Sequence, residues 1–284
     1  MVNFSQILTF IILANMQCTS IAERVKGDTF PSAYDLNDYT EIVLPDRMEE
    51  VSGLEWVGDN LLLAVEDESS IIYSLSPETG EILDRQKFAK NADIEDISWV
   101  NDRAWVLQSN GTLYEVTFPF TKESASKKYT FPIKKKRDLE ALVVSEDGAY
   151  IYTFCKTCEW DKKTRETSVY RFDLGTKAYE EVALMTLKAS DIKTILKLKG
   201  KTSLKMEPAA VALHPFENKY YILSSTGKWL LITDTSFNAK EIYELDPKIF
   251  KQPEGITFDP KGNMYVSNEA RGGKPNLLIY KYKP

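Results

Sequence analysis

The chain has 284 residues, of which 43% are hydrophobic and 12% aromatic, so it can bury a sizeable core and does not have a disordered composition. Its 36 basic and 42 acidic residues give a formal net charge of -6, which excludes a general electrostatic attraction to nucleic acid or anionic membranes. The basic run at residues 134–137 (KKKR) is typical of a solvated loop, and we assign it no function.

The N-terminal segment predicts export. Residues 7–16 (ILTFIILANM) are mostly apolar, too short to span a bilayer and typical of a signal-peptide core, although no Lys or Arg precedes them. Residues 20–22 (SIA) resemble a cleavage site and would end a signal peptide at residues 1–22. Alternatively the signal ends before Cys18, and acylation of this cysteine would anchor the protein to a membrane. No later stretch is apolar enough for a transmembrane helix.

Residues 36–284 are predicted to form one domain of repeated β-strands. An alternating strand at residues 39–44 (YTEIVL) is followed by five copies of one pattern, in which strands alternate with Gly, Asn and Asp turns. The copies begin at Val51, Ile94, Leu139, Pro208 and Pro253, with spacings of 43, 45, 69 and 45 residues. A β-sandwich also has many short strands, but it does not predict this near-constant period.

A period near 45 residues predicts an all-β, five-bladed β-propeller, because sheets of this size bury both faces only when they stack around an axis. Two insertions account for the longer third spacing: a polar segment at residues 156–167 and a short helix near residues 190–197, between blades 3 and 4. The last copy ends after about three strands, so the N-terminal strand is predicted to complete blade 5 and close the ring.

These repeats resemble the SdiA-regulated, or YjiK-like, β-propellers. The resemblance covers "VSGLEWVGDNLLLAVEDESSIIYSL", "DLEALVVSEDG", "PAAVALHP" and "QPEGITFDPKGNMYVSNE", and extends over nearly all of the chain after the signal segment. It implies five blades, an exported or envelope-anchored location and a bound calcium ion, but no settled catalytic activity. The chain is also distantly similar to NHL-repeat propellers, which mostly bind other proteins.

The starts of the five repeats predict a ring of side chains at one mouth of the central channel, because the first strand of each propeller blade lines that channel. In register, these residues are Ser52, Glu95, Glu140, Ala209 and Glu254. Three converging carboxylates repel one another, so a cation, a basic residue such as Arg137 or Lys156, or proton uptake must offset the repulsion. Alternatively the glutamates form only a solvated loop edge that holds no metal. If a metal binds Glu95, Glu140 and Glu254, oxygen ligands favour Ca²⁺ over Zn²⁺.

A second aligned set lies at the ends of the second strands and is predicted to line the same channel. It comprises Glu66, Gln108, Cys155, Ser224 and Asn268, with Asp67 and Glu269 beside them. These residues are expected to supply further oxygen ligands or to complete the lining.

The remaining reactive side chains do not predict catalysis. Cys155 and Cys158 form a C-K-T-C motif without a second pair for zinc or a thioredoxin-like context, so a local disulfide or two unpaired thiols is expected. His214 is the single histidine and is expected to stabilise a turn. No G-x-S-x-G motif is present, and no residue is assigned a catalytic role.

Two functions therefore compete. The first is an exported, calcium-binding module whose loops bind a protein or an envelope ligand, with membrane contact only through a lipid on Cys18. The second is a divalent-metal-dependent hydrolase, lactonase-like or phosphoesterase-like, that uses the central channel. The fold alone does not choose between them.

Overall fold

The computed structural model describes residues 30–58, 60–164, 166–198 and 204–284. The signal segment, its cleavage site and Cys18 lie outside the described residues. Strand β1 (Tyr39–Val43) and a 3-10 turn (Asp46–Met48) precede five antiparallel sheets arranged as propeller blades.

Each blade has three strands in sequential order from the inside outwards and a fourth, outermost strand, which follows in sequence in every blade except blade 5; blade 3 has a fifth strand. Blade 1 contains β2 (Val51–Trp56), β3 (Leu62–Glu66), β4 (Ile71–Leu75) and β5 (Ile82–Lys87). Blade 2 contains β6 (Ile94–Val100), β7 (Arg103–Gln108), β8 (Leu113–Thr117) and β9 (Ala125–Tyr129). Blade 3 contains β10 (Leu139–Val144), β11 (Tyr150–Cys155), β12 (Glu166–Asp173) and the short β13 (Ala178–Tyr179).

The insertion between blades 3 and 4 contains a strand and the predicted helix. Strand β14 (Met185–Lys188) pairs with β12 as a fifth strand of blade 3. Helix α1 (Ala189–Ile195) follows it directly, one residue earlier than predicted, and buries Ile192 in the core between blades 3 and 4. The insertion thus extends an existing blade and does not form another one.

The last two blades show how the ring closes. Blade 4 contains β15 (Ala210–Leu213), β16 (Lys219–Ser224), β17 (Trp229–Asp234) and β18 (Ala239–Glu244). Blade 5 contains β19 (Pro253–Phe258), β20 (Met264–Asn268), β21 (Asn276–Tyr280) and, outermost, β1. Strands β1 and β21 are antiparallel and in register from Tyr39 opposite Tyr280 to Val43 opposite Asn276. The prediction that the N-terminal strand closes the propeller is therefore confirmed.

Apolar side chains fill the spaces between neighbouring blades. One such cluster joins Phe154 of blade 3 to Tyr220 and Trp229 of blade 4. The inner strands approach one another closely: a Cβ atom on Gly53 would lie 2.7 Å from the Cα of Asp96 in the next blade. Among the described residues, no helix is long and apolar enough to cross a membrane.

Candidate functional site

Four of the five inner strands carry a β-bulge at the same position. The pairing register shifts between Val51 and Gly53 in blade 1, and at the equivalent points of blades 2, 3 and 5. The extra residues are Ser52, Glu95, Glu140 and Glu254. A bulge removes one residue from the ladder and redirects its side chain, which explains why the repeats place a polar residue at the start of the strand.

The bulged residues meet at a central cavity of about 390 Å³, which we call the acidic cavity. Ser52, Ala209 and the three predicted glutamates all line it. The described lining includes eight carboxylates and one lysine, Lys156; the carboxylates are Glu50, Asp67, Asp93, Glu95, Asp138, Glu140, Glu254 and Glu269. The structure therefore brings together the residues that the repeat alignment placed in one ring.

Several lining residues were missed in the sequence analysis. Glu50, Asp93, Asp138 and Gln252 each lie two residues before the bulged residue of their blade. The backbone oxygens of this set accept hydrogen bonds from the residues that follow the second strands, as in Lys156 N to Asp138 O at 2.9 Å. A polar residue recurs at this earlier position in the repeats, and this recurrence could have identified the set from the sequence.

The second predicted set needs correction, because none of its five aligned members lines the acidic cavity: Glu66, Gln108, Cys155, Ser224 and Asn268. Successive residues of a strand face opposite sides, so the side chains that reach the cavity are one position further along. They are Asp67, Lys156 and Glu269.

Four of these side chains form local hydrogen bonds instead, and Cys155 forms a disulfide with Cys158. Glu66 accepts from Glu68 N at 2.9 Å, and Gln108 accepts from the Tyr114 hydroxyl at 3.2 Å. The Ser224 hydroxyl donates to a backbone oxygen at 2.7 Å, and the Asn268 amide donates to the Asn276 side chain at 2.8 Å.

The tightest group of acids lies between blades 2 and 3. One carboxylate oxygen from each of Glu95, Asp138 and Glu140 lies within 4.8 Å of the others. The predicted trio differs by one member, since Asp138 takes the place of Glu254 in this group. Oxygen atoms at such separations suit a hard cation, which draws further ligands from neighbouring oxygens and water.

Burial is the largest cause that raises the pKa of six cavity carboxyls, and repulsion from other carboxylates adds to it in all of them except Glu254; the six are Asp67, Glu95, Asp138, Glu140, Glu254 and Glu269. For Glu95 the larger cause is burial, followed by repulsion from Glu140, Asp93 and Asp138. Burial and repulsion from Glu254 raise the pKa of Glu269 to about 8. In Asp67, burial and a hydrogen bond with Glu50 raise the pKa to about 7. A positive charge in the cavity would oppose these shifts and keep the carboxylates ionised.

Lys156 is the counter-ion that the structure supplies. Its Nζ forms an ion pair with Glu140 Oε1. Burial by itself lowers the pKa of Lys156, but attraction to Glu140, Glu254 and Asp138 outweighs it and raises the pKa to about 12. Arg137, the other basic residue considered for this role, bonds instead to the backbone of Asn110 and Lys135.

Cys155 and Cys158 form a disulfide with an S–S distance of 2.04 Å. Their sulfurs lie near Asp161, but sulfurs joined in a disulfide are not thiolate ligands for a metal.

The single histidine packs between residues from the two ends of the described chain. His214 is fully buried, and its Nδ1 accepts hydrogen bonds from the backbone of Phe216 and Glu217. Its Nε2 therefore donates to the Tyr34 hydroxyl at 2.9 Å, and that hydroxyl donates to Gly262 O at 2.7 Å. This turn-stabilising arrangement uses both nitrogens, and the ring does not line the acidic cavity.

No protein-family model matches the chain, and no curated protein matches its sequence. Among solved structures, the glutaminyl cyclase of Myxococcus xanthus is 9% identical, with 86% of this chain and 94% of that chain covered and a TM-score of 0.56. A luciferin-regenerating enzyme is 11% identical, with 86% and 95% covered and a TM-score of 0.50. A virginiamycin B lyase from Staphylococcus aureus is 14% identical, with 87% of this chain and 74% of that chain covered and a TM-score of 0.45.

At these identities the similarity concerns the fold alone, and the activities in those names belong to those proteins. The architecture described above and the structural neighbours agree on one conclusion: the chain is a β-propeller, built here from five blades with an acidic cavity on its axis.

Proposed function

We propose that this protein is a calcium-binding β-propeller that acts as a binding module, with the ion held in the acidic cavity. The observation that carries the proposal is the convergence of Glu95, Asp138 and Glu140 within 4.8 Å, in a cavity with eight carboxylates among its described lining residues. Without a cation, these groups must take up protons or repel one another. A divalent ion would reduce the repulsion between the carboxylates and would remove the need for them to take up protons.

The donor set favours calcium over other common metals. Calcium binds six to eight oxygens with flexible geometry, and the cavity offers carboxylates from several blades together with Ser52 and Gln252. Zinc and copper favour histidine nitrogen and cysteine sulfur, and neither histidine nor cysteine is among the described lining residues of the cavity.

Location and partner are part of the same proposal. We place the protein outside the cytoplasm, as an exported or envelope-anchored member of the YjiK-like propellers that binds a protein or an envelope ligand. The pairing of Cys155 and Cys158 supports this location, since disulfides persist mainly in oxidising compartments. The N-terminal segment supports it independently, and acylation of Cys18 would supply the anchor.

Calorimetric titration of Ca²⁺ into EGTA-treated, desalted protein tests the metal. We expect one saturable site, and a loss of at least about tenfold in affinity in Glu95→Gln and in Asp138→Asn, because each removes a charged ligand. Glu66→Gln is the matched control: it removes a buried carboxylate at a strand end outside the cavity and should leave the affinity unchanged. Absence of saturable binding, or equal losses in all three variants, would reject the site.

The hydrolase alternative is tested with the same proteins. A panel of lactones and phosphate esters is assayed with Ca²⁺, and the binding-module proposal expects no turnover. Turnover that Glu254→Gln abolishes would assign catalysis to the acidic cavity and contradict a purely binding role.

A further inference from the structure

The segment from Cys155 to Cys158 is a four-residue loop that the disulfide closes directly after β11. The loop is bonded to the acidic cluster at its base. Lys156 N and Thr157 N donate to Asp138 O at 2.9 and 3.2 Å, and the Thr157 hydroxyl donates to Asp138 Oδ2 at 3.3 Å. Asp138 thus anchors the loop and also belongs to the group of three clustered carboxylates.

The loop carries the positive charge of the cavity. Lys156 projects from between the two cysteines and forms its ion pair with Glu140, whose side chain is 11% exposed. Glu140 also belongs to the three-carboxylate cluster. An ammonium group and a divalent cation at the same carboxylate repel each other, so Lys156 opposes binding of the ion.

The disulfide restricts how far this lysine can withdraw. Both cysteines are 1% exposed and pack in the core between blades 2 and 3. With both ends of the loop fixed there and its middle bonded to Asp138, only the side chain of Lys156 is free to leave Glu140. Opening the disulfide would free the Cys158 end of the loop, so that the backbone of Lys156 would be held only by β11 and by the hydrogen bonds to Asp138.

We propose that the disulfide-closed loop sets the cation affinity of the acidic cavity, by holding Lys156 at Glu140 as a built-in competitor of the divalent ion. Lys156 is thereby an affinity-determining residue, and Cys155 and Cys158 are positioning residues that act through it. This inference rests on the proposed binding of calcium, and its tests include one that needs no metal.

The first test compares charge variants of Lys156 by calorimetric titration of Ca²⁺. Lys156→Met should bind about tenfold more tightly or better, because removing a charge a few ångströms from the ion removes repulsion of at least that size. Lys156→Arg keeps the charge and should remain near the wild-type affinity. Lys162→Met is the matched control, since it removes an exposed lysine that does not line the acidic cavity.

The metal-free test is a thermal melt in EGTA. Lys156→Met should melt below the wild type, because the cavity carboxylates lose their counter-ion, and saturating Ca²⁺ should abolish the difference. Lys162→Met should melt like the wild type under both conditions. This measurement reports on the counter-ion even if the wild-type affinity is too weak to measure.

The disulfide is tested by a double-mutant cycle with the Cys155→Ser/Cys158→Ser protein. Loop opening should tighten Ca²⁺ binding in the wild-type background and should not tighten it further in Lys156→Met, because the effect passes through the lysine. Equal effects in the two backgrounds, or none in the wild type, would overturn the role of the disulfide.

The outcomes separate the two proposals. If the wild type binds Ca²⁺ and Lys156→Met binds equally or more weakly, the inference fails while the calcium site stands. If neither protein binds Ca²⁺ and their melting temperatures in EGTA agree, both fail. If only Lys156→Met binds, the lysine is the dominant competitor and the inference stands, but the proposal that the wild-type protein binds calcium fails.

Discussion

Two groups of carboxyls, one at the starts of the inner strands and one further along them, have opposite surroundings. In the acidic cavity, the carboxylates of Glu95, Asp138 and Glu140 face one another. Further along the inner strands, Asp96 and Glu55 face backbone donors of the neighbouring blade. Asp96 accepts from Leu142 N at 2.8 Å, and Glu55 accepts from Trp99 N at 3.1 Å.

The difference distinguishes a structural carboxyl from a candidate ligand. Burial raises the pKa of Asp96, and it raises that of Glu55 to about 8, but backbone hydrogen bonds oppose the shift in both cases. Asp96 thus joins blades 2 and 3, while Glu55 joins blades 1 and 2. The cavity carboxylates mostly meet other carboxylates, and Lys156 is the one basic residue in the described lining of the cavity, so a further cation would relieve their remaining repulsion.

The largest expected effect comes from breaking an inter-blade bond. Asp96→Ala should lower the free energy of unfolding by about 2–4 kcal/mol, because it leaves two buried backbone N–H groups, of Ile97 and Leu142, without acceptors. Urea unfolding monitored by tryptophan fluorescence measures this loss. Calcium affinity should be unchanged, and a large loss of affinity at normal stability would erase the distinction between the two groups.

A smaller effect is expected from pH. The pKa values of Glu269 and Asp67, about 8 and about 7, lie above those of unfolded carboxyls. Their contribution to stability is thus fully present below about pH 4 and is lost as the pH rises through 7 and 8. In EGTA, melting temperatures should fall between pH 5 and 8.5.

Calcium should flatten this pH dependence, because a bound cation favours the ionised carboxylates of the cavity. The portion that calcium does not remove would belong to Glu55 and Asp96. A melting temperature in EGTA that rises steadily from pH 5 to 8.5 would contradict the assigned directions.

The smallest expected effect is a change in the free energy of unfolding that has opposite signs in the two groups of carboxyls. In EGTA at pH 8, Glu269→Gln should raise the free energy of unfolding by about 0.5–1 kcal/mol, because it removes repulsion from Glu254 and Asp67. The equivalent amide at the inter-blade position, Asp96→Asn, should destabilise instead, since an amide nitrogen cannot accept from a backbone N–H. Urea unfolding of the two variants under the same conditions measures both changes in the free energy of unfolding. Changes of the same sign would show that both carboxyls have the same role.

The sequence predicted the features that repeat. The five aligned starts identified Ser52, Glu95, Glu140 and Glu254 because each blade builds the same bulge. The missing fourth strand of the last copy predicted the closing role of β1, because an unpaired edge needs a partner.

Other parts of the site depend on packing between blades and did not follow from the sequence. Asp96 was missed because its acceptor role depends on a close approach of blades 2 and 3 that no local pattern encodes. Lys156 was one of two basic residues considered, and only the path of the chain after β11 selects it. At the ends of the second strands, the predicted residues, such as Asn268, were each one position before the residue whose side chain faces the axis.

The bulges have a consequence for how this scaffold tolerates change. A residue that stands outside the ladder can be exchanged without disturbing strand pairing, and blade 4 already has an alanine, Ala209, at the equivalent place. The four bulged positions around the axis can therefore vary while the strand pairing of the propeller is kept. Substitutions at these positions would change the charge and the available ligand atoms of the acidic cavity without changing the strand pairing.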